Sequence, residues 1–317
     1  MEARQDSSSA SRESDRSGLA LLAVAAAVVT WGWSNVAIKS VSVTGLVASF
    51  WRLWIAIPAL WLTALAMPAV RRDLGRPWLL GSLVGGFLFG LHQVLFFTSL
   101  KETSVSDVSI IGSLQPVLVL FVAGPLFGEP IHGKAIAWSI VALLGTALVV
   151  IGAHGSPGWS AHGDLLACLN LFVFTTYFLT SKRIRRDVGA TAYVTGMTTV
   201  AGFVVTGVCL WTGQDLGSPR PGDWPILVGI AMVSGTLGHV LMNWAHAHAS
   251  AFVVSILLLG VPVLATAGAA VYLGEIPGLL QIVGGLLVLS SIAVIVLSTR
   301  REVAEELAES AAETDAP

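Results

Sequence analysis

Apolar residues run along this chain in long, unbroken stretches separated by short polar breaks. Ten stretches stand out, at approximately 19–39, 45–67, 78–100, 104–127, 134–152, 164–181, 190–212, 225–245, 250–273 and 278–298. Each is continuous rather than alternating, which argues against half-buried strands. Their lengths lie near the ~20 residues that cross a bilayer core as a helix. The breaks RRDLGRPW, KETS, GEPIHGK, HGSPGWSAHGD, SKRIRRD, GQDLGSPRPGD and GEIPG carry the turn formers. In lipid a backbone must satisfy its own hydrogen bonds, so the pattern predicts an all-α integral membrane protein with ten transmembrane helices.

Composition agrees. Of 317 residues, 55% are hydrophobic and only 11% charged, with a mean hydropathy of +0.80. A soluble domain carries roughly 25% charged residues, so a water-covered globule is excluded. The net charge of −2 gives no reason to expect nucleic acid as a partner. Cys168 and Cys209 lie inside apolar runs and read as small apolar fillers. No CxxC, zinc or haem spacing occurs, and no cofactor or metal is expected. Residues 1–18 are polar and serine-rich and read as a disordered cytoplasmic tail. Residues 299–317 form a second, acidic cytoplasmic tail. The run at 19–39 is too long for a signal peptide and ends without a small-residue cleavage site, so it is expected to be retained.

Basic residues orient the spans. With the N-terminus inside, Arg4, Arg12, Arg16, Arg71, Arg72, Arg76, Lys134, Lys182, Arg183, Arg185, Arg186, Arg300 and Arg301 are cytoplasmic. Only Lys39, Lys101 and Arg220 fall outside, and Arg52 lies within a span. Both termini are therefore expected in the cytoplasm, with the linker 153–163 on the outer side.

Sliding the chain by 146 residues reveals a repeat. Gln115-Pro116 falls on Val261-Pro262, Gly128-Glu129 on Gly274-Glu275, and Ser104 on Ser250, without a gap. A shift near 143 lays Lys39 over Lys182. The repeat unit holds five helices, over 19–152 and 164–298. Five is odd, so the second copy enters the membrane from the opposite side. Two inverted five-helix repeats are a recurrent architecture of secondary transporters, with the substrate site near the midplane between the halves.

The stretch WGWSNVAIK (31–39), the pair Arg52-Leu53 and two copies of a helix ending in P…GE resemble the EamA-like branch of the drug/metabolite transporter superfamily. The resemblance covers roughly 19–298. It implies ten helices and movement of small metabolites, commonly export of amino acids or related compounds. WGWSN departs from the family's more usual WGSN by an added tryptophan.

Polar side chains inside lipid are costly unless they meet a partner or a wet cavity, so they form the candidate site. Arg52 lies about seven residues from the outer end of the second run, roughly 10 Å deep at 1.5 Å per residue. It either snorkels, pairs with a carbonyl or Asp107, or meets a substrate carboxylate. His92 and Gln93 lie two-thirds along the third run, and the repeat register lays His239 on Gln93. Asn243 shares a face with His239. Ser109, Ser113 and Gln115 precede Pro116, whose missing N–H frees a carbonyl; Pro262 does the same in the second half. The sixth run offers Asn170, Thr175, Thr176 and Tyr177. Trp31 and Asn35 share a face of the first helix and are read as cavity-lining, while Lys39 is an outer-mouth charge. The expected substrate-binding set is Trp31, Asn35, Arg52, His92, Gln93, Ser109, Ser113, Gln115, Tyr177, His239 and Asn243. Each has a plain alternative as an interhelical hydrogen bond worth on the order of 1 kcal/mol. The Gly81-x3-Gly85 and Gly86-x3-Gly90 spacings read as close helix packing, and Glu129 and Glu275 as helix-end caps.

Catalytic signatures such as GxSxG, HExxH or paired carboxylates do not occur. His246-Ala247-His248 has no acidic neighbour in sequence. The expected function is a secondary transporter in the cytoplasmic membrane exporting a small amino acid, zwitterion or anion by alternating access. The alternatives are an intramembrane enzyme or a receptor or scaffold without transport. Expected partners are a small-molecule substrate and the bilayer, with a homodimer as a further option.

Overall fold

A computed structural model of the chain describes residues 2–127, 133–153, 158–217, 219–291 and 293–294. Among these every regular element is helical. In order they are α1 (Glu2–Ser40), α2 (Gly45–Ala66), the short α3 (Pro68–Arg72), α4 (Arg76–Glu102), α5 (Val105–Gly112), α6 (Gln115–Phe127), α7 (Gly133–Ala153), α8 (Ala161–Ile184) and α9 (Ala190–Trp211). Then come α10 (Asp223–Gly229), a π-helical segment (Ile230–Gly238), α11 (His239–His246), α12 (Ala251–Leu257), α13 (Gly260–Tyr272) and α14 (Leu279–Ser291). Among the described residues, seven spans are long and apolar enough to cross a membrane: Leu19–Ser40, Gly45–Ala66, Arg76–Glu102, Ala161–Ile184, Ala190–Trp211, Asp223–His246 and Val253–Tyr272. Three shorter apolar helices, Val105–Val119, Ile136–Gly145 and Leu279–Ser291, lie in the remaining predicted runs.

Three predicted runs are not single α-helices. Pro116 has no N–H to give the carbonyl of Gly112, and the run 104–127 breaks at Ser113–Leu114 between α5 and α6. Pro262 breaks 250–273 in the same way, at Leu258–Leu259 between α12 and α13. Under the 146-residue shift the two breaks fall within one residue of each other. The run 225–245 carries the π segment. There Thr236 Oγ1 donates to Ala231 O, five residues back, at 2.9 Å, and Ser234 Oγ donates to Ile230 O at 2.9 Å. Hydroxyls competing for helical carbonyls loosen the α-pattern.

The packing is inside-out relative to a soluble protein. Leu62, Leu65, Phe87, Leu144, Phe172, Phe203, Leu210 and Val271 are exposed, while Asn35, Arg52, His92, Gln93, Asn170 and His239 are buried. Such an exterior matches hydrocarbon rather than water, and the chain is a multi-pass membrane protein. One core joins α2, α4, α8 and α9, another joins α1, α4, α5 and α13, and a third joins α1, α8, α11 and α12. The glycines of α4 work as their spacing predicts. A Cβ at Gly86 would lie 2.8 Å from Met197 O, and one at Gly90 2.8 Å from Val204 Cβ, so α4 lies backbone-close to α9.

The connecting segments gather at two ends. At one end Lys39 Nζ bonds Thr103 O, Lys101 Nζ bonds Lys39 O at 3.1 Å, Ser42 N donates to Asp223 Oδ1 at 3.1 Å, and Thr103 Oγ1 donates to Asp164 Oδ1 at 2.8 Å. At the other, Gly189 N donates to Asp73 Oδ2 at 3.1 Å, Lys182 Nζ to Ala249 O at 3.3 Å and Arg185 Nε to Asn243 O at 2.7 Å. Burial pulls the Arg185 guanidinium down to about 10, against the pull of Asp73, so it stays protonated at neutral pH. Lys39 on Thr103 O and Lys182 on Ala249 O are similar contacts, their lysines 143 and their carbonyls 146 residues apart.

Glu275 caps, though not its own helix. Its Oε2 accepts from Val105 N at 2.9 Å, at the start of α5, and Oε1 pairs with Lys39 Nζ at 3.6 Å. Removing the charge with Glu275→Gln is expected to cost about 1 kcal/mol, or roughly a 2 °C drop in the thermal midpoint in detergent. An unchanged midpoint would leave the pair without a structural role. Its repeat counterpart Glu129 lies outside the described residues, as do part of the linker 153–163 and the tail 299–317.

Two expectations differ from the structure. Residues 2–18, read as a disordered tail, continue α1 as helix: no proline interrupts them, and extending an existing helix avoids the cost of nucleation. Cys168, read as a small apolar filler, is a free thiol on the exposed side of α8, while Cys209 is buried with Sγ 3.7 Å from Leu46 O. Cysteine is apolar enough to sit against lipid as well as inside.

Candidate functional site

The helix breaks and the buried polar residues meet in one cavity of about 120 Å³. Trp31, Ser34 and Asn35 of α1, Arg52 of α2, and His92, Gln93, Phe96 and Phe97 of α4 form one side. Ser109, Gly112, Ser113, Gln115 and Pro116 of the broken α5–α6 pair form another. Asn170 and Phe174 of α8, Ser234 of the π segment, His239 of α11, and Ser255, Leu258, Leu259, Val261 and Pro262 around the α12–α13 break form the rest, with Ile38 and Val108.

Arg52 is 4% exposed. Its Nη1 donates to Gln93 Oε1 at 2.7 Å, and its guanidinium carbon lies 5.6 Å from the Phe97 ring centre and 5.8 Å from that of Phe89. A desolvated cation–π contact of this kind contributes up to about 2 kcal/mol. These contacts hold the side chain in place without neutralising it. Asp107, one partner considered from sequence, is engaged elsewhere: Ser104 Oγ donates to its Oδ2 at 2.6 Å and Gln281 Nε2 to its Oδ1 at 3.2 Å. No carboxylate lines the cavity among the described residues. The close approach of the π segment is part of the geometry, since a Cβ at Gly235 would lie 3.3 Å from Arg52 Nε.

The two histidines have different surroundings. His92 Nδ1 is 2.7 Å from Asn170 Oδ1, and its ring stacks on Phe96 at 5.3 Å. His239 lies between Trp31, at 4.8 Å, and Phe89, at 4.7 Å between ring centres. Trp31 Nε1 donates to Ser234 O at 3.1 Å, a carbonyl within the π segment, and Ser234 Oγ, whose own proton goes to Ile230 O, accepts from Ser34 Oγ at 2.9 Å. Asn35 Nδ2 reaches Ser109 Oγ at 3.4 Å, a long contact. Three buried atoms on lining residues have no hydrogen-bond partner among the described residues: Arg52 Nε, Gln115 Nε2 and His239 Nδ1. Two are obligate donors, so the wall has hydrogen-bonding capacity to spare for an acceptor-rich guest.

Of the residues expected to bind substrate, Trp31, Asn35, Arg52, His92, Gln93, Ser109, Ser113, Gln115 and His239 line the cavity. Tyr177 and Asn243 do not. Tyr177 sits behind the wall, its ring 5.2 Å from Phe89 and 5.9 Å from Phe174. Asn243 turns back on its own helix, donating from Nδ2 to His239 O at 2.9 Å. Thr175 and Thr176 likewise bond the carbonyls of Leu171 and Phe172. Lining residues that the sequence did not single out include Gly112, Ser34, Ser234 and Ser255 and the apolar Phe96, Phe97 and Phe174. The phenylalanines are indistinguishable by pattern from lipid-facing ones. Among the described residues no group of three His, Cys, Asp or Glu could hold a metal ion.

A polytopic helical membrane protein with a buried polar cavity between proline-broken helices has an architecture that recurs among secondary transporters. The sequence model of the EamA-like transporter family matches twice, over residues 18–151 and 161–297, and the chain belongs to that family. It is 28% identical over 291 residues to a probable terminal-alkyne amino-acid exporter of Streptantibioticus cattleyicolor, covering 89% of this chain and 96% of that one. It is 25% identical to the aromatic amino acid exporter YddG of Ancylobacter novellus, over 54% of this chain and 58% of that one. It is also 25% identical to the pseudopaline exporter CntI of Pseudomonas aeruginosa, over 69% and 75%. A solved crystal structure shares the fold with a TM-score of 0.69 at 20% identity, covering 89% of this chain and 98% of its own.

Proposed function

We propose that this protein is a secondary transporter of the cytoplasmic membrane that exports a small amino acid or a related zwitterion or anion. It works by alternating access between two inverted five-helix repeats. The observation that carries the reading is Arg52: a buried guanidinium on a cavity wall with neutral partners only. A substrate carboxylate would supply the missing charge, held by charge-assisted hydrogen bonds worth ~1.5–3 kcal/mol. Eight other residues read as substrate-binding share that wall with it. An ammonium group would find neutral acceptors. Pro116 leaves the Gly112 carbonyl without an i+4 donor, whereas Leu258 O, its repeat counterpart, accepts from Val261 N at 2.9 Å. The relatives named above as exporters of amino acids support the same class. Counterflow in proteoliposomes over a panel of amino acids tests the reading. Exchange of at least one member, unchanged chemically, is expected; a panel wholly without exchange would sink the substrate class.

The basic end, with Arg71, Arg72, Arg76, Lys182, Arg183 and Arg186, is the cytoplasmic one in this reading, together with both chain termini. The end bearing Lys39, Lys101 and Arg220 faces outward. On a background lacking the native cysteines, Asp215→Cys should react with an impermeant maleimide in intact cells and Asp187→Cys should not. The reverse pattern would overturn the orientation.

A further inference from the structure

We propose that Gly112 sets the size of the molecule that the cavity admits. It rests on the reading that the cavity carries the transported solute, and adds to it the position that selects for bulk. Gly112 is the last residue of α5 and the one glycine on the cavity wall among the described residues. A Cβ built on it meets no atom within 4 Å. Its φ lies outside the left-handed region, so an L side chain is conformationally tolerated there. Most glycines of the bundle behave differently: at Gly86 and Gly90 a Cβ would collide with α9. Close packing therefore accounts for those two, and not for Gly112.

The repeat sharpens the point. The position related to Gly112 by 146 residues is Leu258, also on the wall, whose side chain is buried in the core shared by α1, α8 and α11. One half of the molecule fills the equivalent place with a leucine and the other leaves it open. The open place lies at the α5–α6 break, beside Ser109 and Ser113. The cavity is about 120 Å³, and a leucine at 112 would add four carbon atoms at its wall. A solute held at one end by Arg52 has its variable part limited by what stands at 112.

The test has two arms. In the first, Cys168→Ser and Cys209→Ala remove the native thiols, and Asn35→Cys places a reporter on the wall. Detergent-solubilised protein is treated with methyl or benzyl methanethiosulfonate. Adding Gly112→Leu should slow the benzyl reagent by about tenfold or more while slowing the methyl reagent less than about twofold, with Gly112→Ala and Gly112→Val in between. The alanine variant adds only a methyl group, so the ordering survives even if the leucine variant folds poorly. Equal slowing of both reagents, or of neither, would overturn the proposal. In the second arm, the same variants without the reporter are assayed by counterflow of L-alanine, L-leucine and L-phenylalanine. Phenylalanine exchange should fall first and alanine exchange last; a uniform fall across the three would also overturn it. If the unsubstituted protein exchanges none of the three, the amino-acid reading fails, while the labelling arm still decides the role of Gly112.

Discussion

Replacing Arg52 with leucine is expected to slow exchange of carboxylate-bearing substrates by roughly 10- to 100-fold, the range set by losing one charge-assisted interaction of ~1.5–3 kcal/mol. Arg52→Lys is the more informative variant. Lysine keeps the charge but loses the planar fork, and with it the geometry of the 2.7 Å bond from Nη1 to Gln93 Oε1. It should slow carboxylate-bearing substrates selectively and leave uncharged ones much less affected. The comparison is read from counterflow rates over charged and neutral solutes. If lysine slows every solute equally, or none, then Arg52 is structural, and recognition passes to the histidines and the α5–α6 break. A stability measurement accompanies it, because Gln93 Oε1 loses its donor in the leucine variant, and an unsatisfied buried acceptor costs about 1–3 kcal/mol.

The second large effect is expected at the histidines, and the structure separates them. His239→Phe keeps a ring between Trp31 and Phe89 and removes an Nδ1 that has no partner among the described residues. Folding should be spared and transport reduced about tenfold, the value of one hydrogen bond of ~1.4 kcal/mol made to the solute. His92→Leu is a blunter change. It takes away the 2.7 Å partner of Asn170 Oδ1, so lowered stability should accompany lowered transport. Wild-type rates in both variants would remove the histidines from the site. A loss of thermal stability at His239→Phe equal to that at His92→Leu would make His239 a packing residue instead.

Much of this protein is legible in its sequence because lipid imposes simple rules. Continuous apolar runs and the short polar breaks between them follow from the demand that a backbone in hydrocarbon satisfy itself. The same demand makes Arg52, His92 and His239 conspicuous within their apolar runs, since a polar side chain there needs an interior to face. Pro116 and Pro262 announce the helix breaks, because a missing N–H leaves a missing bond wherever the helix is placed.

The helical, lipid-embedded class, the duplication and the set of polar residues in need of an interior thus follow from the order of residues alone. Which of those residues face one another follows from packing. Tyr177 and Asn243 carry the same polar signal as His239, yet one packs behind the wall and the other bonds its own helix. Phe96, Phe97 and Phe174 look like lipid-facing residues and line the cavity. Gly112 lacks the x3 spacing that marks Gly86 and Gly90, but the open space beside it is visible only in the packing. Helix rotation fixes these outcomes, and it arises from packing between segments up to about two hundred residues apart, which no local pattern records.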